Sequence, residues 1–451
     1  MMCEGAIAMI PISRSFALVA LTLGAAQPAA ADLPDFVSKI AAKSIAVISD
    51  GDFTAQSYAD GQLAPETASH RDLLTVISLD KGEARSGAVE VSNSVTAAPE
   101  ILVLSPDGKT AFVAERLKQR APGAKTIKEL APGNRLFAVD ISGATSPQII
   151  STATIAAFPE SVAVSPDGTR LAVVSNTPDA AYLQIVSFRA GTFGEVKRFD
   201  LAALGVRGTA SGPRVGVTAT NVHWHPNGKL LAVNVDTQDS VAFFTVDEEP
   251  TLWGNLVKVG KDPFVGRFTP DGRYYLTSNW GRDFAATSLE GRLPMAPSSI
   301  SVIRLASLDA GHDARHAVTA AVETDRSSEG LAMSPDGRLV ATVNMRETAF
   351  PPTSPRFTKE ATVTLLGFDP ENGSLEKLAD YAFEGVLPEG GSFDATGDHF
   401  LATVFHGHQN SGSEAGAGLE VFRVVKAGRP ALEKVGRIPL PHGAHHVAIG
   451  K

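Results

Sequence analysis

Apolar and polar residues alternate along this chain in short runs, and the runs come in pairs joined by one kind of turn. Residues 161–176, SVAVSPDGTRLAVVSN, carry two such runs around Pro-Asp-Gly. Proline presets φ for a tight turn and glycine supplies a positive φ, so the stretch predicts a β-hairpin. The pattern returns in residues 101–115 (ILVLSPDGKTAFVAE), 221–236 (NVHWHPNGKLLAVNVD), 265–280 (VGRFTPDGRYYLTSNW) and 330–345 (GLAMSPDGRLVATVNM). A weaker copy occupies residues 390–405, GGSFDATGDHFLATVF. Copies spaced about 45 to 65 residues apart predict an array of β units.

Two further alternating runs follow the hairpins. TVTLLGFD and LEKLADYAFE come after the copy at residues 330–345, and GLEVFRVV and LEKVGRIPL after the last one. Four strands per unit is the make-up of a propeller blade. The chain ends complete a seventh. The terminal LPHGAHHVAIGK copies LPEGGSFDATGD at residues 387–398, so it reads as an innermost strand with nothing after it. SIAVISD at residues 44–50 copies RLAVVSN at residues 170–176, a second strand with no first. Placing Lys451 directly before Ser44 aligns GKSIAVISD with GTRLAVVSN without a gap. The expectation is an all-β, seven-bladed propeller of four-stranded antiparallel blades, a single domain over residues 44–451. Its last strand pairs with the N-terminal blade and leaves no free sheet edge at the seam. Residues 32–43 form a lead-in, read as a helix capping one face.

Composition changes the picture little. A chain of 451 residues with 43% apolar and 20% charged residues has ample core, and a net charge of −9 argues against a nucleic-acid partner. Arg14, the run SFALVALTLGAA and the small residues before Asp32 read as a secretory signal over residues 1–31, cleaved after Ala31. The run is too short to span a bilayer. Met2 and Met9 are alternative starts. A periplasmic or secreted monomer with no membrane span is therefore expected. The one cysteine, Cys3, lies in the removed segment ahead of the apolar run, which does not suit a lipoprotein. The mature chain thus has no disulfide, thiolate metal site, nucleophilic cysteine or covalent haem attachment of its own.

Chemistry concentrates where the chain leads into each innermost strand, facing the central funnel. Counting the closing blade as blade 1, that position reads His442, Glu100, Glu160, Thr220, Phe264, Glu329 and Glu389. Four carboxylates aimed at one axis repel unless a cation, a proton or an arginine lies among them. Calcium or magnesium would suit them through oxygen ligands. The structural alternative is that each glutamate bonds nearby backbone. His406 and His408, in FHGHQN, have the spacing that puts both imidazoles on one side of an extended chain, near His442, His445 and His446. His223 and His225 flank Trp224 and read as structural. Arg282 and Arg346, at the ends of second strands, suit a carboxylate or phosphate. Long loops at residues 53–71, 116–135, 281–299, 346–361 and 406–418 open on the same face, which makes it the expected binding face for a small molecule or partner protein.

The Pro-Glu-Gly and Ser-Pro-Asp-Gly hairpins ending in VSN or VNM resemble YVTN-type repeats, and more broadly the lactonase-like seven-bladed propellers of the WD40/YVTN repeat-like superfamily. The resemblance covers nearly all of the mature chain. It implies either a binding scaffold or a hydrolase that opens a cyclic ester, with or without a divalent metal. Glu329, Glu389, His442, Arg282 and Arg346 are then the candidate catalytic residues, and Glu100, Glu160, Glu329, Glu389, His442, His406 and His408 the candidate metal ligands. SSEGLAMSPDGRLVATVNM is similar to the glutamate-bearing blade of such enzymes. ATNVHWHPNG keeps a histidine without the arginine that often accompanies it. An electron-transfer subunit like the amine dehydrogenase heavy chain suits the compartment but lacks a haem motif. No G-x-S-x-G elbow or phosphate loop stands in a strand-to-helix setting.

Overall fold

The structure, a computed structural model, describes residues 33–80, 82–94, 100–143, 145–210, 216–408 and 416–451. The secretory signal and residues 409–415 of the blade 7 loop lie outside the described residues. Seven antiparallel sheets are arranged as blades, six of them in chain order from the axis outward and one with the last strand of the chain innermost. Blade 2 begins with Leu102–Leu104, blade 3 with Pro159–Val164 and blade 4 with Ala219–Trp224. Blades 5, 6 and 7 begin with Pro263–Phe268, Ser328–Met333 and Gly391–Phe393. In blade 4 the outermost position is split between Pro250–Leu252 and Val257–Lys258, both paired with Ser240–Val246. No helix among the described residues is long and apolar enough to cross a membrane.

The repeated turn explains itself. In blade 2 the Ser105 hydroxyl donates to Asp107 Oδ1 (2.6 Å) and accepts from the Thr110 amide (3.0 Å), while the Lys109 amide donates to the same carboxylate (3.1 Å). Gly108 follows at φ +72°. Serine, aspartate and glycine thus each fill one place in a single hydrogen-bonded turn. Blades 3 and 6 repeat it with Ser165–Asp167 and Ser334–Asp336. In blade 4 His225 stands in for the serine, its Nδ1 accepting from the Asn227 amide at 3.0 Å. Second strands such as Leu230–Val235 and Leu339–Asn344 are buried along their whole length, because each sheet is covered on both faces by its neighbours.

Closure pairs Ala444–Gly450 with Ser44–Ser49, making blade 1. Its register differs from the direct splice. Copying blade 3, where Leu171 pairs with Val164, would put Ile45 opposite His446; Ile45 instead pairs with Ile449, three residues further on. No turn joins these two strands, so nothing covalent fixes their register and packing decides it. The lead-in is a 3-10 helix, Asp35–Lys39, that packs Val37 into the seam between blades 1 and 7 with Ile45, Val47, Leu419 and Ile438. Ala41 bonds across to Asp394 and Ala395 of blade 7. It is a clasp on the seam, because its apolar residues match the gap there.

Gly443 leads into the closing strand at φ +88°, its carbonyl accepting from the Asp50 amide at 3.0 Å. A Cβ there would stand 1.8 Å from the Asp50 carbonyl oxygen. Gly443→Ala is therefore expected to destabilise the protein by well over ~1 kcal/mol, since it combines a positive φ with a backbone clash at the closure. A urea unfolding midpoint equal to that of the unchanged protein would show that the seam is not built this way.

Candidate functional site

The long loops do not stand open around the funnel. Phe53, Leu63, Leu117, Leu289, Leu293, Phe350, Leu387 and Phe405 meet in one buried apolar cluster over the axis. These loops carry more large apolar residues than a solvated rim would tolerate, so they fold inward and form a lid. Glu329 and Glu389 lie beneath it, 2% and 3% exposed. Among the described residues this cluster covers the axis on the face expected to receive a ligand.

Each residue proposed from the sequence has a definite place. Glu160 is held by Arg116 through two bonds, 3.2 and 2.9 Å. Arg282 makes a two-toothed pair with Asp262 at 2.8 and 3.0 Å, its guanidinium 4.0 Å from the Trp280 ring centre. Arg346 reaches Asp325 at 3.4 Å and the Glu360 carbonyl at 3.3 Å. Both arginines serve the lid and the blade ends. His408 Nε2 donates to the Lys359 carbonyl at 3.1 Å. His406 accepts from the Ala55 amide at 3.1 Å, and His442 donates to the Phe53 carbonyl at 2.7 Å. His70, His442 and His406 stack nearly parallel, with ring centres 3.9 and 5.5 Å apart. Burial pushes the imidazole of His442 down to about 3. These rings clamp the Phe53–Ala55 segment of the lid.

The three-residue shift of the closing strand moves His442 out of the position leading into the innermost strand and brings His445 into it. His445 is fully buried, with Nε2 donating to Asn93 Oδ1 at 3.0 Å. Asn93 is oriented by donating its own amide to the Ser49 and Val91 carbonyls, so the tautomer of His445 follows. His445 Nδ1 then accepts from His446 Nδ1 at 3.0 Å and lies 3.9 Å from Glu389 Oε2. Burial holds this imidazole well below its ordinary range, so the contact is not an ion pair. Tyr58, on the lid, donates to Glu389 Oε1 at 2.9 Å. Burial, with Glu389 acting on Glu329, pushes both carboxyls above the ordinary range.

A cluster not foreseen lies nearby. Asp50, Asp52 and Asp72 are buried with carboxylate oxygens within 4.8 Å of one another. Burial, with Asp52 beside it, raises Asp72 to about 7. Their oxygens are well supplied: Asp50 accepts from the Asp52 and Phe53 amides, Asp72 from Gly51, Asn93 and Ser94, and Asp52 from Ser94 and the Arg120 amide. The Arg120 guanidinium stands 3.2 Å from Asp52. The cluster organises the lid loops without further help.

The other end of the axis is open. A cavity of about 530 Å³ runs between the innermost strands to the hairpin turns, with Glu100, His223, Arg267 and Ser392 among its walls. Arg267 and Glu100 form a two-toothed ion pair, one arm 2.8 Å long. They belong to blades 5 and 2, three apart in a ring of seven, so the pair spans the channel and forms its floor. Asn221 supports it, donating to Glu100 Oε2 at 3.0 Å and accepting from the Gly266 amide at 3.1 Å. Despite burial, Arg267 and His223 hold the Glu100 carboxyl below its ordinary value. His223, on blade 4, is lowered to about 4 by burial and by Arg267, and its Nδ1 lies 3.1 Å from the Trp224 carbonyl. The ring is therefore neutral near pH 7, with Nδ1–H donating and Nε2 left as a base. Arg267 was missed in the sequence. Its one signal was a charge three residues before the turn proline, where blades 2, 3 and 6 have Val103, Ala163 and Ala332.

Since Glu389 is raised from 4.5 to about 8, the folded state binds more protons than the unfolded one between those values. Its contribution to stability falls as pH rises through that window. Glu389→Gln should flatten the decline, read as melting temperature from pH 5 to 8.5 in metal-free buffer. An unchanged slope would mean that Glu389 is already compensated in the fold.

No protein-family profile and no curated protein matches the chain. Solved structures do. The periplasmic gluconolactonase PpgL of Pseudomonas aeruginosa is 17% identical with a TM-score of 0.59, over 90% of this chain and 99% of that one. A provisional 6-phosphogluconolactonase from Bacteroides uniformis is 15% identical, TM-score 0.59, over 90% and 99%. A second, from Bacteroides fragilis, is 14% identical, TM-score 0.59, over 91% and 98%. The fold of this chain is that of the lactonase-like seven-bladed propellers.

Proposed function

We propose that this chain is an exported hydrolase of the lactonase kind, working in the channel that opens at the hairpin turns. The observation that carries the reading is the Glu100–Arg267 pair spanning the channel floor with neutral His223 beside it. A cyclic ester seated above the floor would present its carbonyl oxygen to the guanidinium, which favours the charge that develops on attack. His223 Nε2 would take a proton from the attacking water, with Nδ1 fixed on the Trp224 carbonyl. Glu100 and Asn221 keep Arg267 in place. The names of the solved relatives support the choice of a cyclic ester of a sugar acid. A site that binds such a molecule without opening it is the second reading, favoured by Arg267 being committed to Glu100. In both, residues 1–31 direct export to the periplasm and are removed.

The test is hydrolysis of glucono-δ-lactone by the exported protein, followed by pH-stat. Arg267→Met, made together with Glu100→Gln so that no lone carboxylate is left buried, and His223→Gln should each lower kcat/KM by roughly 100-fold or more while the fold is kept. Activity should fall on the acid side near pH 4 as His223 takes up a proton, since that is where its lowered value lies. Binding of the lactone with no turnover in the unchanged protein would select the second reading, and neither binding nor turnover would end both.

A further inference from the structure

Beneath the lid, on the far side of the Glu100–Arg267 floor, the carboxyl pair of Glu329 and Glu389 lacks what buried carboxyls require. Among the described residues the buried carboxylate oxygens Glu329 Oε2 and Glu389 Oε2 have no hydrogen-bond partner. Buried polar atoms are almost always satisfied, and an uncompensated buried charge costs several kcal/mol. The nearby nitrogens of Arg282 and His445 are engaged by other partners. Arg282 is held by Asp262, and the nearest ring nitrogen of His445 is an acceptor engaged with His446. Tyr58 gives its one proton to Glu389 Oε1, which leaves the lone pairs of its hydroxyl oxygen. Glu389 acts on Glu329 through charge alone, with no hydrogen bond between them. One proton shared directly between the two carboxyls does not fit that arrangement.

We propose that Glu329 and Glu389, with the hydroxyl oxygen of Tyr58, hold a hard divalent cation, calcium or magnesium, sealed beneath the loop lid. Two carboxylates and a neutral oxygen make a donor set of the kind these ions take, with water filling other positions. Two negative charges in a dry site match a charge of two. The Asp50–Asp52–Asp72 cluster is the less suitable place, because amides, Ser94 and Arg120 already supply its oxygens. Since Tyr58 belongs to the lid and the glutamates to blades 6 and 7, the ion would tie the lid to the ring. The inference stands apart from the channel and from what is hydrolysed there.

The experiment measures metal in the purified full-length exported protein by elemental analysis, then its melting temperature after chelation and after adding calcium or magnesium. About one equivalent of divalent ion per chain, or a rise of a few degrees on adding calcium or magnesium to the chelated protein, is expected. Glu329→Gln should abolish the response and Tyr58→Phe weaken it, while Asp52→Asn should leave it. A response lost in Asp52→Asn but kept in Glu329→Gln would overturn the assignment. So would no bound metal and no response to either ion, together with a higher melting temperature for Glu389→Gln at pH 8, because the glutamates then simply carry protons.

Discussion

The structure depends on one strand pairing that no turn enforces. Ala444–Gly450 must find Ser44–Ser49 across the length of the chain, and until it does blade 1 has an exposed edge and the ring is open. What holds the strand is burial, with Ala444, His445 and Gly450 inside and the 3-10 clasp packing Val37 and Ile40 over the seam. Loop closure over so many residues is entropically costly only logarithmically, so a well-packed seam suffices. The register it adopts decides the chemistry beside it. Shifting the strand by three residues exchanges an imidazole that clamps the lid, His442, for one that lies against Glu389, His445.

From that closure follow two unlike ends of one axis. At the lid end, apolar side chains from loops of several blades exclude water, and that exclusion raises Glu329 and Glu389 and lowers His442 and His445. At the hairpin end the turns are short and saturated by their own serines and aspartates, so they cannot reach over the axis. The channel stays open there for a geometric reason. Glu100 and Arg267 mark the division, and each neutralises the other where neither would be tolerated alone.

The fold was legible because its signal is periodic: the Ser-Pro-Asp-Gly turn requires three residue types at fixed spacing, and copies of it announce themselves. The seam was legible in kind and not in register, since alignment assumes a turn where the chain has two ends. Glu100, Glu160, Glu329 and Glu389 were legible as a set of lead residues, and their separate fates were not. Arg116 and Arg267 reach Glu160 and Glu100 from other blades, and no local pattern records a partner 167 positions away. Whether the long loops fold over the funnel was not legible, for a similar reason. Long loops with glycine, proline and charge look solvated, while Phe53, Leu63 and Phe350 become a core only when blades are brought side by side.

Separating lid from channel also constrains how the two could influence each other. The route is short: Glu389 leads into blade 7 and Glu329 into blade 6, whose innermost strands run from the sealed chamber to the open cavity, where Ser392 and Ala332 line the wall. Removing charge compensation beneath the lid would strain the starts of those strands first. The channel floor, however, is tied between blades 2, 4 and 5 by Glu100, Asn221 and Arg267. Neither Glu329 nor Glu389 belongs to those blades. Loss of compensation at Glu329 and Glu389 should therefore loosen the lid and the seam before it disturbs the ion pair, and the two ends of the axis are energetically separate because different blades carry them.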